Sequence, residues 1–260
     1  MIKLLKKIPK SLILAIILII IWVLVTVVFK IVASIFLPSP LDIIRSYYEM
    51  RANLGSAILA SLSITMSGFA IGLLIGVGMG LFMAYSKVFL ETAGPFMEFT
   101  RPIPIFALIP LFMLWFGLGI WPQVLLVALG VSTILGVTTY EAIRNMPLIY
   151  IRAASNLGAD KKTIFRTIVL PYIFPHLIGA IRVAAAASWG LDVAAEFMGV
   201  QTGLGFNMII QQMYLNTSGI LAIVIIYSIL AILLDQIIRK IEQKLTYWTE
   251  RTKVSFENLR

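Results

Sequence analysis

The sequence predicts an all-α, polytopic membrane protein with six transmembrane helices and both termini on the cytoplasmic side. Composition is the first observation: 60% of the residues are hydrophobic and 13% charged, with a mean hydropathy of +0.98, against roughly a quarter charged residues in soluble domains. The second is the length of the uncharged runs, which reach 19, 35 and 39 residues at 11–29, 52–86 and 102–140; about 20 apolar residues span a bilayer as a helix. The third is where the cations fall. Six spans place 17 of the 21 Lys and Arg on one side, in the N-terminal arm, the stretch after Lys87, the segment 141–171 and the tail, against Arg45, Arg51 and borderline Lys30 on the other. Such asymmetry marks the cytoplasmic side. It also explains the net charge of +9 without a nucleic-acid partner. With no cysteine, disulfides, thiol catalysis and thiolate metal sites are excluded.

The first span is 11–29, preceded by Lys3, Lys6, Lys7 and Lys10. A secretory signal has a shorter apolar region, about 7 to 15 residues, and a small-residue cleavage site, whereas this run leads into Leu37-Pro38-Ser39-Pro40 and reads as an uncleaved helix. Residues 37–50 form a polar connector with a Pro-x-Pro stop, expected to lead to a short helix on the outer side. The run 52–86 is longer than one span, so part of it is expected to tilt or lie along the surface. Gly68, Gly72, Gly76 and Gly80 recur every fourth residue on one face, with Gly78 added. Small residues at that spacing let helix backbones approach closely in lipid, where packing and not water exclusion drives association. A phosphate-binding loop would need a Lys-Ser or Lys-Thr after the glycines, and none follows.

Residues 87–101, with Glu91 and Glu98, are expected to be a polar cytoplasmic loop. The 39 uncharged residues 102–140 hold two spans joined by a tight turn at 117–122. Pro110 falls inside the first of these and is expected to kink it by removing a backbone hydrogen bond. A fifth span covers 171–200, its outer loop runs to Ser218, and a sixth span covers 219–234. A charged tail follows from Asp235, with Tyr247 and Trp248 suited to an interfacial anchor.

Glu141 to Pro171 (EAIRNMPLIYIRAASNLGADKKTIFRTIVLP) is the largest charge cluster between the termini, and a membrane protein keeps such a segment outside the lipid. Ala153, Ala154 and Leu157 share one helical face. Gly158 can adopt the left-handed conformation that ends a helix. Asp160 is placed to N-cap a second short helix with Ile164, Phe165, Ile168 and Val169 as its apolar side, expected to stop at Leu170-Pro171. The unit is a helix, turn and helix too short to span and too amphipathic to be a loose loop.

The spacing Ala153-Ala154, three residues, Gly158, nine residues, Ile168, one residue, Leu170-Pro171 resembles the EAA signature of membrane permeases in ATP-binding-cassette importers. In that family the signature forms the coupling helices that seat in a cleft of the cytoplasmic ATPase. One position departs: Arg152 stands where the family has a leading Glu. Leu37-Pro38-Ser39-Pro40 and GLDVAAEFMGVQTGLG from Gly190 resemble the same permease family, and RPIPIFALIPLFMLWFGLG from Arg101 resembles its nitrate, sulfonate and taurine branch; the chain as a whole is most similar to the nitrate, sulfonate, taurine and thiamine-precursor branch. The resemblance implies a type I importer permease fold, with an N-terminal arm and first helix at 1–36, a permease core at 37–248 containing the coupling segment 148–171, and a cytoplasmic tail at 249–260. It also implies a second permease copy, two cytoplasmic ATPase subunits that carry ATP and magnesium, and an extracytoplasmic substrate-binding protein in a prokaryotic cell membrane. No cofactor is expected on this chain.

Nothing in the residues points to catalysis: there is one histidine, and no His-Glu-x-x-His, Gly-x-Ser-x-Gly or nucleotide-binding motif. His176, at the inner end of span five, reads either as a proton relay or as a solvated interfacial side chain. Arg182, deeper in that span, can snorkel, pair with an acid or meet an anionic substrate. Asp192 and Glu196 share a face at i, i+4 and repel, either as part of the translocation path or as a wet helix end. Met113, Trp115 and Phe116 line the pore or pack. Glu141 reads as a partner of Arg144 or Arg101, and Asp235 as a structural partner. A secondary transporter or channel working through Arg182, Asp192 and Glu196 is the rival class; it leaves the segment 148–171 without a purpose.

Overall fold

The computed structural model describes residues 10–197 and 201–245. The basic arm Lys3, Lys6 and Lys7, the end of the expected fifth span at 198–200, the pair Tyr247–Trp248 and the tail 249–260 lie outside the described residues. Among those described, every regular element is a helix. In chain order they are α1 (Lys10–Val23), α2 (Pro40–Tyr85), α3 (Lys87–Thr100), α4 (Ile109–Phe116), α5 (Ile120–Arg144), α6 (Leu148–Asn156), α7 (Lys161–Ile164), α8 (Leu170–Glu196), α9 (Leu204–Met213) and α10 (Thr217–Leu245). Single wider or tighter turns join some of them: π-helical at Leu24–Val28 and Phe165–Val169, 3-10 at Ile105–Leu108. The chain folds as two compact units, Met1–Ser61 with Val200–Ile229 and Leu62–Gly199 with Leu230–Arg260.

In the first unit, the Trp22 indole donates to the Pro38 carbonyl at 3.1 Å and ties the apolar first helix to the Pro-x-Pro stop. Ser39 and Asp42 then form a reciprocal cap: Ser39 N and Oγ donate to Asp42 Oδ2 at 3.0 and 2.8 Å, and Asp42 N donates to Ser39 Oγ at 3.2 Å. This satisfies orphan donors at the helix start. From there α2 runs 46 residues without a break, about 69 Å at 1.5 Å per residue. The expected short outer helix is therefore not a separate element but the first turns of α2. No proline follows Pro40 before Pro95, and the one early glycine, Gly55, costs a helix interior only about 1 kcal/mol. Buried Ser61 accepts from Leu204 N at 2.8 Å and fixes the start of α9. Ser46 donates to Ser218 at 2.9 Å, and Asn216 caps α10 by accepting from Gly219 N at 3.1 Å.

The second unit is built on α5, buried along most of its length. A Cβ placed on Gly68, Gly72, Gly76 or Gly80 would lie 2.5–2.7 Å from side-chain atoms of Val127, Val131, Leu135 and Thr139 respectively. Both series ascend by four, so α2 and α5 run parallel with their backbones in close contact. Gly78 points elsewhere, with nothing within 4 Å of its Cβ position. Against another side of α5 lies α8, antiparallel, with Leu191 at Gly130 and Gln123 Nε2 donating to Ala195 O at 3.3 Å. Val127, Val131 and Leu135 form one buried core with Leu177, Ala180, Ala184 and Ile238.

Between α2 and α5 three expectations are corrected. Residues 87–100 are a helix and not a loop; Ser86 caps it by accepting from Phe89 N at 3.3 Å, and its charges lie on the exposed face, where Lys87 meets Glu91 at 3.6 Å. The span expected after Arg101 is only the 3-10 turn and α4, and it forms with α3 a pair bent by 86°. Pro110 kinks nothing, because it occupies the first turn of α4, where its missing N–H is one that goes unbonded in any helix. Pro102 and Pro104 mark the break instead.

Leu170-Pro171 does not stop a helix either: Lys161–Glu196 is one 36-residue rod. Its ladder widens at Phe165–Val169, with Leu170 N donating to Phe165 O, where the proline ring would crowd a regular turn. Among the described residues, four helices are by length and composition long enough to cross a membrane, α2, α5, the rod 161–196 and α10, and the bent pair qualifies as a fifth. The apolar stretch Leu12–Val28 is shorter, about 26 Å.

Candidate functional site

Segment 148–171 forms a knuckle at the end of the second unit where α5 stops and the rod begins. Pro147 sits extended before α6 and, by fixing its own φ, pre-sets the entry. After nine residues α6 closes with a full Schellman arrangement: Ala159 N donates to Ala154 O and Gly158 N to Ser155 O, both at 3.0 Å. Gly158 has φ +82°, the left-handed conformation for which glycine has no Cβ penalty. Two residues on, Asp160 Oδ1 accepts from Thr163 N at 3.1 Å and caps α7. Hydrogen bonding from Thr163, its side chain first and then its amide, holds the Asp160 carboxyl below its ordinary range.

The sequence-derived docking residues divide by exposure. Arg152, Ala153, Leu157, Gly158 and Asp160 are exposed, Leu157 at 88%, while Ala154 is half-buried. Ile168, Leu170 and Pro171 are half-buried and Val169 is buried, so the apolar side of the second helix faces inward as expected. Phe165 packs edge-on against Tyr85 at 5.3 Å, and Lys161 lies 4.7 Å over the same Tyr85 ring. The result is a braced, capped turn presenting an apolar tip. No Cβ at Gly158 would meet any atom within 4 Å, so the face it belongs to is open.

The intramembrane charges are arranged differently from one another. Arg182 is engaged by two acids from α10: Nε donates to Asp235 Oδ1 at 2.9 Å, Nη2 to Asp235 Oδ2 at 3.3 Å, and Nη1 to Glu242 Oε2 at 3.4 Å. The forked geometry suits a carboxylate. Asp192 and Glu196 are both 0% exposed, which removes the wet helix end as a reading of either. His176 is exposed, its ring 5.7 Å from Tyr172. At the C-terminal end of α5, Glu141 receives Arg101 at 2.7 Å, while Arg144 reaches Glu98 at 2.6 Å.

Met113, Trp115 and Phe116 are not one surface. Met113 packs beside Ile109, Leu126 and Ala195. Trp115, 63% exposed, and Phe116 lie 6.3 and 5.5 Å from Phe112 between ring centroids and meet each other edge-on at 6.4 Å. Sequence reasoning missed the buried polar positions Thr65, Gln123 and Ser188. The signal for Gln123 was available, as the one carboxamide in the 39-residue uncharged run.

The family model for the binding-protein-dependent transport system inner membrane component matches residues 68–247. The taurine transport system permease protein TauC of Escherichia coli is 28% identical, covering 84% of this chain and 82% of TauC. The formylaminopyrimidine transport permease protein ThiX of Halalkalibacterium halodurans is 27% identical over 83% of this chain and 86% of its own length. A putative aliphatic sulfonates transport permease protein, SsuC of Bacillus subtilis, is 28% identical over 84% and 80%. Among solved structures, an inward-facing MetNI methionine ABC transporter chain superposes with a TM-score of 0.63 at 20% identity, covering 76% of this chain and 98% of that one. At that identity the likeness speaks for the fold alone.

Proposed function

This chain belongs to the family of binding-protein-dependent transport system inner membrane components, and from that premise we propose that it is the permease subunit of an ATP-driven importer whose segment 148–171 seats in a separate ATPase. It is an inner-membrane permease of the ABC importer class, with the fold of a type I importer. The observation that carries the docking reading is the knuckle itself. A Schellman-closed, Asp-capped turn braced by Tyr85 presents Leu157 at 88% exposure, and an apolar side chain so exposed on an ordered turn is what a partner's cleft would cover.

In the proposed cycle, ATP and magnesium are held by two cytoplasmic ATPase subunits. Closure of the ATPases carries each knuckle with it, and a pair of permease copies moves between inward-open and outward-open states. A partner shifts such an equilibrium only by contacts that differ between the two states, and the exposed residues Arg152, Ala153, Leu157 and Gly158 supply them here. Arg152 suits an acidic or neutral ATPase patch, where the family's usual Glu would suit a basic one. Cargo would be a small nutrient of the kind named for the relatives, a sulfonate, taurine, nitrate or a heterocyclic vitamin precursor, delivered by an extracytoplasmic binding protein. A proton or ion path through Arg182, Asp192 and Glu196 has less to support it, since Arg182 is occupied by Asp235 and Glu242.

The test is Gly158→Asp. Asp visits the left-handed region more readily than most residues, and among the described residues no atom lies within 4 Å of a Cβ at this position. The variant is expected to insert in the membrane at wild-type levels and to lose ATP-driven uptake in reconstituted vesicles. Unchanged uptake would remove the knuckle from the coupling path.

A further inference from the structure

Behind the knuckle, in the second unit, lies a cleft of about 550 Å³ walled by the ends of α2 and α5, the start of α3 and the inner side of α6 to α7. Its floor is apolar, with Met83, Ala84, Ile143 and Ile164 among its residues, and its charged lining residues are Lys87, Arg144 and Lys161. Among the described residues none of those lining it is acidic. Arg144 and Lys87 have carboxylates of their own, Glu98 at 2.6 Å and Glu91 at 3.6 Å. Lys161 makes no salt bridge among the described residues; it lies over the Tyr85 ring. The cleft therefore pairs an apolar interior with a net positive rim.

Its depth follows from the register of α2 on α5. The stretch Trp121–Tyr140 is 20 residues, about 30 Å of helix, the thickness of the hydrocarbon core, with an aromatic residue at each boundary as interfaces favour. Extending the Gly80–Thr139 contact by one parallel turn and a little more brings Tyr85 level with Arg144, just past the Tyr140 boundary. The cation rim and the floor, with Ala84 and Ile143 one residue from Tyr85 and Arg144, are thus both at the inner headgroup level, within reach of a lipid of that leaflet.

We propose that this cleft is a site for an anionic phospholipid of the inner leaflet, its phosphate between Lys87 and Lys161 and one acyl chain along the floor against Ala84 and Ile143. The chemistry is selective in two ways. A zwitterionic lipid offers the same chain but a headgroup whose own cation opposes the lysines; free phosphate offers the charge but no chain for the floor. Because Lys161 and Ile164 belong to the segment that carries the knuckle, a bound lipid packs behind the knuckle and ties its position to the composition of the membrane. The site does not depend on what the knuckle docks against.

The experiment uses the purified permease with its ATPase subunits, titrated with palmitoyl-oleoyl phosphatidylglycerol or the matching phosphatidylcholine and read by native mass spectrometry. Phosphatidylglycerol is expected to be retained over phosphatidylcholine, and excess inorganic phosphate is expected to leave it bound. Both lysines are exposed, so the double variant Lys87→Gln, Lys161→Gln keeps the fold; it should weaken phosphatidylglycerol about thirtyfold, the effect of two interfacial cations, and leave phosphatidylcholine unchanged. Ala84→Trp, which fills the floor and spares the charges, should also expel the lipid. Equal retention of the two lipids, equal binding by the double variant, retention by Ala84→Trp, or displacement by phosphate would each overturn the proposal. Release of phosphatidylglycerol when the ATPase subunits are added to the isolated permease would assign the cleft to the ATPase and overturn it as well.

Discussion

Gly72 and Gly78 lie six residues apart on one helix and have opposite roles. A Cβ on Gly72 would sit 2.6 Å from the Ala128 carbonyl oxygen and 2.6 Å from the Val131 Cβ, whereas one on Gly78 meets nothing within 4 Å. The Ala128 contact is to backbone, which no rotamer change relieves. Gly72→Ala should therefore push α2 off α5 and cost about 1–3 kcal/mol, as overpacking does, read as a lowered thermal unfolding midpoint in detergent. Gly78→Ala should be neutral or raise the midpoint slightly, by helix propensity of at most about 1 kcal/mol. Equal shifts in the two variants would refute the close-packed register. The recurrence of glycine every fourth residue was legible in the sequence, and so was the misfit of Gly78, since two residues along a helix is more than half a turn away. The partner side chains were not legible: no pattern in 52–86 names Val127, Val131, Leu135 or Thr139.

At the scale of the element, the knuckle was the most legible part. The capping chemistry of Gly158 and Asp160 is local, and each bond spans five residues or fewer. Its pH dependence follows from the cap. The Thr163 side chain, and after it the Thr163 amide, hold the Asp160 carboxyl below the ordinary value of 3.8, so its contribution to the first turn of α7 is present above that value. It is lost as pH falls through the lowered pKa. Hydrogen exchange over 158–166 should be faster in Asp160→Ala than in the wild type at pH 7, and the ratio of the two rates should approach one in acid. A ratio constant across that range would show that the carboxylate does not cap the helix. By contrast, Leu170-Pro171 misled as a stop signal. A proline inside a long helix is permitted when one wide turn precedes it, and whether that turn forms depends on the packing of Val169 and Ile173, both buried.

For the whole molecule, the parallel contact of α2 with α5 has a topological consequence. Two helices that cross a membrane pointing the same way require the chain between them to return, a return expected here of the bent pair 87–116. Irregular backbone at that depth is tolerated only where protein or a cavity surrounds it. The chain has no native cysteine, so single substitutions report cleanly. Glu91→Cys should react with an impermeant maleimide only from the cytoplasmic side and Leu118→Cys only from the outer side. Labelling of both from one side would make the pair a re-entrant loop and reduce the crossings by one.

The sequence by itself determined the helical class, the membrane and the capped turn within 141–171, and its charge asymmetry carries the proposed cytoplasmic placement of that segment. Each of these follows from composition, charge asymmetry or bonds between near neighbours, quantities that a linear string contains. Tertiary structure alone decided that Arg182 is held by Asp235 and Glu242, that Asp192 and Glu196 are fully enclosed, and that a lysine-rimmed cleft backs the knuckle. Those outcomes depend on which helix faces come together across 50 residues or more of chain, and in a sequence where nearly every face is apolar, hydrophobic periodicity does not distinguish one face from another.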